Sequence, residues 1–258
     1  MPKFSANLTM MFNEVEFLDR FERAAKAGFK AVEYMFPYEW PKELLAGALE
    51  SHDLEQVLLN LPAGDWAAGE RGIACIPGRE GEFKDGVESA LEYAAALGCP
   101  TLNCLVGLTP GGVDADKIRQ TLVNNLQFAA AALEKAGVRF VIEMLNHNAV
   151  PGFHLVHTQE ALRLLEGVNH PNLRLQYDVY HMQIMEGNLI DTLSANMARI
   201  GHIQIADNPG RHEPGTGEIN FPNLFAAIDA AGYDGWIGCE YVPAGTTEDG
   251  LGWFEVYK

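Results

Sequence analysis

Positive charge is scarce in this chain: 18 Lys and Arg stand against 35 Asp and Glu in 258 residues, a formal net charge of −17. A surface of that sign repels phosphate, which disfavours nucleic acid and anionic membranes as partners and requires local cationic groups for any anionic substrate. Cysteine is sparse too. Cys75, Cys99, Cys104 and Cys239 form no CxxC pair and no dense framework, so they read as reduced, buried thiols of a cytoplasmic protein. No apolar run reaches the roughly 18 residues of a membrane span, and MPKFSANLTMMF lacks the apolar core and cleavage site of a signal peptide; it reads as a first strand. Phosphate-binding signatures are missing: there is no GxxxxGK[ST] and no GxGxxG after a strand, so no nucleotide cofactor is expected. The nucleophile elbow GxSxG is absent as well, which sets aside covalent acyl chemistry. Without a Pro/Ser-rich linker or a composition break, residues 1–258 are expected to form one domain.

What is present is a regular alternation. With 48% hydrophobic and 21% charged residues, the chain can bury a sizeable core. Short strand-like runs, FSANLTMMF, AVEYMF, LEQVLLNLP, TLNCLVG, RFVIEML, LRLQYDVY, GHIQIAD and GWIGCEY, are separated by seven helical stretches, with only a short tail left for an eighth. Eight βα units in about 250 residues predict an α/β fold, a single (β/α)8 barrel of parallel strands whose eighth helix is short or absent. In AKAGF, AALGC, EKAGV and DAAGY, glycine stands where a helix must stop before a strand. The loop PAGDWAAGERGIACIPGRE after the third strand is too long for a routine connection and is expected to cover the barrel mouth.

In such barrels the reacting groups sit at the C-terminal ends of the strands. Four consecutive strands carry an oxygen ligand there: Glu143, Asp178, Gln204 and Glu240. Side chains alternate across a strand, so Val141 shares a face with Glu143, Gln176 with Asp178, and His202 with Gln204. If that face is the lumen, the four groups converge. Three carboxylates buried together demand a compensating cation, and an all-oxygen set suits Mg2+ or Mn2+. His181 falls just past the sixth strand, on its loop, within reach of a substrate hydroxyl, and His202 is expected to pack beneath the site. Arg71 and Arg79 in the long loop, and Arg211 after the seventh strand, are candidates to bind a substrate carboxylate, because a guanidinium forks onto it. An apolar patch near Trp66 or Phe83 is a candidate face for a homo-oligomer.

The segments NLPAGDWAAGERGIACIPGRE, IEMLNH, LQYDVYHMQ, GHIQIADNPGRHEPGTGEIN and GCEY resemble the hydroxypyruvate isomerase family of the xylose isomerase-like barrels, over nearly the whole chain. GDWAAGERGIACIPGR is the most specific of them; the acidic pattern alone marks only the superfamily, which also holds ketose epimerases and an apurinic endonuclease. The resemblance implies that Glu143 and Glu240 are the proton-transferring pair. It also implies that Glu143, Asp178, Gln204 and Glu240 hold a divalent metal, with Gln204 where ketose epimerases usually carry a histidine. The implied activity interconverts hydroxypyruvate and tartronate semialdehyde, with a small anionic sugar acid as substrate. The same site would serve a 2-oxo-tetronate isomerase or a ketose 3-epimerase. A metal nuclease would carry more histidine ligands and a basic face, and a non-catalytic sugar-binding module would have lost the glutamates.

Overall fold

The computed structural model describes residues 1–258. Eight parallel strands close on themselves in sequence order: β1 (Lys3–Asn7), β2 (Ala31–Glu33), β3 (Glu55–Asn60), β4 (Thr101–Cys104), β5 (Arg139–Glu143), β6 (Leu173–Asp178), β7 (Ile200–Ile205) and β8 (Trp236–Cys239). The last pairs with the first, Lys3 opposite Trp236 and Ala6 opposite Cys239, so no sheet edge is exposed. Outside lie α1 (Arg20–Ala27), α2 (Lys42–Ser51), α3 (Glu80–Leu97), α4 (Ala115–Lys135), α5 (Thr158–Val168), α6 (Val179–Met185), α7 (Leu189–Asn196) and α8 (Phe221–Ala230).

The helices end where the sequence signals it. Gly28 takes φ +103° at the end of α1, a left-handed conformation that costs a residue with a Cβ about 1–2 kcal/mol. At the start of α4, Asp114 accepts a hydrogen bond from Lys117 N at 3.1 Å, and Asn220 caps α8 in the same way through Asn223 N at 3.2 Å.

Helices and strands share a core of 66 buried residues, while a small apolar group, Ala31, Val57, Leu58 and Val141 against Trp236, stands apart from it. Ala31 and Val141 come two residues before Glu33 and Glu143, so along β2 and β5 an apolar residue gives way to a polar one on the same face. Where an eighth helix would close the ring, the chain makes a 3-10 run, Glu248–Tyr257. Its Trp253, Phe254 and Tyr257 pack edge-on against Phe4 of β1 at 5.1, 6.0 and 5.1 Å between ring centres, so aromatic packing replaces the helix.

Two local expectations change. The sixth strand leads directly into α6, so His181 stands in a helix and not on a loop: Asp178, the last residue of β6, caps that helix by accepting from Tyr180 N at 2.8 Å. Phe83 is 3% exposed and faces the core of α3, which removes it from any surface patch, whereas Trp66 is 40% exposed.

Candidate active site

Each strand delivers a polar side chain at its C-terminal end. Asn7, Glu33, Asn60, Asn103, Glu143, Asp178 and Gln204 end or nearly end β1 through β7, and Glu240 follows β8 by one residue; all eight are buried. Above this ring lies a cavity of about 250 Å³ lined by Glu143, Glu240, His181, Arg71 and Arg211 together with Trp66, Asn60, Met10, Met35 and apolar residues. The long loop after β3 forms one wall through Trp66 and Arg71, as its length predicts.

Glu143 Oε2 accepts from Asn103 Nδ2 at 3.1 Å, but its Oε1 is buried without any donor. Burial, then the repulsion of Glu240 and Asp178, pushes its carboxyl well above the usual range. Glu240 is raised to about 8, by burial first and then by Asp178 and Glu33, against the lowering pull of Arg211. Its Oε1 accepts from Asn7 Nδ2 at 3.2 Å and its Oε2 from the Arg211 guanidinium. Arg211 Nη2 also lies 3.5 Å from Asp178 Oδ2, so one cation spans two of the three acids.

Arg211 adopts φ +58°, and its loop is pinned. The Asp207 carboxylate accepts from the backbone N–H groups of Asn208, Gly215, Gly217 and Ile219 at 2.8–3.1 Å. Gly217 permits this closure, since a Cβ there would come within 2.3 Å of Asn208 O.

His181 is buried and neutral, its imidazole lowered to about 4 by burial. The backbone N–H of Asn146 donates to its Nδ1 at 3.0 Å, so the ring proton belongs on Nε2, which lies 3.6 Å from Asp178 Oδ2. The tautomer that this bond selects makes His181 a donor into the cavity. The Arg71 guanidinium lies over Trp66, its carbon 3.9 Å from the ring centre, and donates through Nη1 to the carbonyls of Trp66 and Glu70 at 3.1 and 2.7 Å. Its Nε and Nη2 make no hydrogen bond within the protein.

Arg79 departs from the expectation. Both its terminal nitrogens are taken by Glu70 and Glu82, and it does not line the cavity; it braces the loop that carries Arg71. Gln204 lies in the ring, not on the cavity wall: its Nε2 donates to Glu33 Oε1 at 2.7 Å and its Oε1 accepts from Gln176 Nε2 at 2.6 Å. His202 packs beneath, with Nε2 2.9 Å from Glu33 Oε2.

The arrangement suits a cation. Ligand atoms of Glu143, Asp178 and His181 lie within 4.8 Å of one another, the two carboxylates being the ones free to face a cation while His181 Nε2 keeps its proton; a carboxylate oxygen of Glu143 has no donor, and Gln176 Oε1 is likewise buried and unpartnered. Asn7, Glu33, Asn60 and Asn103 went unmarked in the sequence, although each obeys the strand-end alternation that singled out Glu143, and Gln176 was placed only by the face it shares with Asp178.

A family model described as Xylose isomerase-like TIM barrel matches residues 21–257. The hydroxypyruvate isomerase of Escherichia coli (strain K12) is 56% identical over 258 residues, covering 100% of both chains. A 2-oxo-tetronate isomerase of Pectobacterium atrosepticum is 48% identical, with 99% of this chain and 97% of that one covered. A crystal structure from Brucella melitensis named AP endonuclease, family 2, superposes with a TM-score of 0.98 at 49% identity, covering 100% of both. With the closed barrel, the ring of strand-end acids and these full-length matches, the chain belongs to the xylose isomerase-like TIM barrel family.

Proposed function

We propose that this protein interconverts hydroxypyruvate and tartronate semialdehyde by moving a proton between neighbouring carbons. The observation that carries the reading is the pair of buried glutamates, Glu143 and Glu240, lining one small cavity with two arginines. Its support from relatives is the 56% identity to a hydroxypyruvate isomerase over the full chain.

Hydroxypyruvate carries its ketone between a CH2OH and a carboxylate. Arg71 takes the carboxylate with the N–H groups that Trp66 and Glu70 leave free. One glutamate, ionised, removes a proton from the CH2OH carbon, and the substrate becomes an enediolate. The other, protonated, delivers a proton to the former ketone carbon, and the hydroxyl proton on the neighbouring oxygen passes to the former ketone oxygen, so that the aldehyde forms at one carbon and the hydroxyl at the other. His181 Nε2–H holds a substrate oxygen while this charge develops. Burial raises both glutamates above the usual carboxylate range, so that one can hold a proton to give while its partner takes one. Glu143, Asp178 and Glu240, with the side-chain oxygen of Gln204, would hold Mg2+ or Mn2+, which supplies stabilisation of developing negative charge, and the glutamate that carries the proton would hold the ion loosely.

The test is turnover of hydroxypyruvate before and after EDTA, and again with Mg2+ or Mn2+ restored. Activity that chelation removes and metal returns is expected; inactivity under every condition overturns the substrate. A second reading, the same proton shift on a four-carbon 2-oxo acid, is favoured by a cavity of about 250 Å³ that leaves room for a further carbon. A higher kcat/KM on the four-carbon acid would select it. The charge of −17 counts against a nuclease.

A further inference from the structure

Glu33 is a fully buried carboxylate that does not line the cavity and that the proton transfer does not use. It accepts from Ser5 Oγ at 3.2 Å, Asn7 Nδ2 at 3.1 Å, Gln204 Nε2 at 2.7 Å and His202 Nε2 at 2.9 Å. Those four donors account for the roughly four acceptor sites of an ionised carboxylate. Room for it is made on β8, where a Cβ on Gly238 would fall 2.3 Å from Glu33 Oε2.

An ionised carboxylate only accepts, whereas an amide presents a donor at one end and an acceptor at the other. Gln204 must therefore turn its NH2 to Glu33 and its oxygen away, to where Gln176 Nε2 meets it. Gln176 in turn uses one of its two N–H donors there, and its own oxygen is left buried without a donor. A single acceptor within the ring thus sets the direction of two successive amides. Through Asn7, whose Nδ2 lies 3.1 Å from Glu33 Oε1 and 3.2 Å from Glu240 Oε1, it also fixes the inner oxygen of Glu240.

We propose that Glu33 is a positioning residue for the cation site, fixing the Gln204 amide so that its oxygen, which also accepts from Gln176 Nε2, is the end left to a cation, and tethering Glu240 through Asn7. This rests on the metal-dependent reading given above. A glutamine needs such a device because, unlike a carboxylate, it offers a cation only one of its two ends.

The test is Mn2+ binding followed by calorimetry on the purified wild-type protein, Glu33→Gln, and the exchange Glu33→Gln/Gln204→Glu, with circular dichroism as the check on folding. The amide that Glu33→Gln introduces can donate as well as accept, so Gln204 is freed to flip, and Mn2+ affinity is expected to fall about 10–100-fold in the folded single variant. The exchange restores one donor facing one acceptor at unchanged charge and puts an oxygen at position 204 in either orientation, so affinity should recover to within a few-fold of wild type. Wild-type affinity in Glu33→Gln, or an exchange variant that folds yet binds no better than the single variant, overturns the positioning role while leaving the metal reading intact. If Glu33→Gln does not fold, recovery in the exchange variant decides for the proposal, and failure of both to fold overturns it in favour of a structural role. A wild-type protein that binds no Mn2+ overturns both readings together.

Discussion

Loading a cation into the ring should expel protons, and the number can be worked out. Glu240 is raised to about 8, so at pH 7 about nine-tenths of the metal-free protein carries a proton there. Moving this carboxyl from 4.5 to about 8 corresponds to roughly 5 kcal/mol against its ionised form. A cation requires that ionised form, so from Glu240 alone its affinity should fall about fivefold from pH 8 to 7 and about ninefold again to pH 6. Glu143, also raised, steepens the dependence. Calorimetric titration of Mn2+ in two buffers of different ionisation enthalpy reads the protons released: about one per ion at pH 7 from Glu240, more if Glu143 contributes. The stability of the metal-free protein carries the matching sign. Because the folded pKa lies above the unfolded value, the contribution is complete below about 4.5 and is lost as pH rises toward about 8. Melting without metal should therefore come earlier at pH 8 than at pH 6, with Mn2+ giving its larger shift at pH 8. An affinity that stays flat from pH 6 to 8, with no proton release, would refute the reasoning.

Three further outcomes follow from the site. Glu143→Gln and Glu240→Gln should each lower kcat by about 10²–10⁴-fold with the circular dichroism spectrum retained, and substantial turnover in either removes that residue from the proton-transferring pair. Arg71→Ala should reduce kcat/KM by about 10–100-fold, the loss of a charge-assisted hydrogen bond, mostly through KM, whereas Arg79→Ala should act on KM far less and instead lower the melting temperature; equal effects would contradict their different placements. Gly238→Ala should cost about 1–3 kcal/mol in urea unfolding, because its methyl must displace the Glu33 carboxylate, and an unchanged midpoint would show that Glu33 is free to move.

The barrel was legible because its signals are local. Periodicity switches between two and 3.6 residues, and a glycine such as Gly28 marks a helix stop whatever the tertiary surroundings. The acids of β5, β6 and β8 were legible for the same reason: a carboxylate late in an apolar strand is costly unless the fold uses it. That rule extends to the first four strands, where it picks out Asn7, Glu33, Asn60 and Asn103 without any structure. Amides stand out less than acids because their burial costs less. Arg71 and Arg79 were beyond reach. Both lie in one loop with no periodicity, and only the positions of Glu70, Glu82 and Trp66 decide that one guanidinium is consumed by carboxylates while the other is stacked and left partly free. The helix holding His181 was hidden because Asp178 ends a strand and caps a helix at once, so that no turn residues separate them.

Gln204 is the instructive case. Its place on β7 follows from alternation, but the direction in which its amide points does not. That depends on Glu33, 171 residues away in the chain, being an acceptor and never a donor. A strand-end glutamine carries two chemically opposite ends at nearly one location, and a sequence pattern sees only the location. In a closed barrel the missing information is held by the neighbours across the lumen, through the hydrogen-bond polarity they impose. If Gln204 takes a cation, the identity of the residue at the end of β2 then matters to that site as much as the residue that would touch the ion.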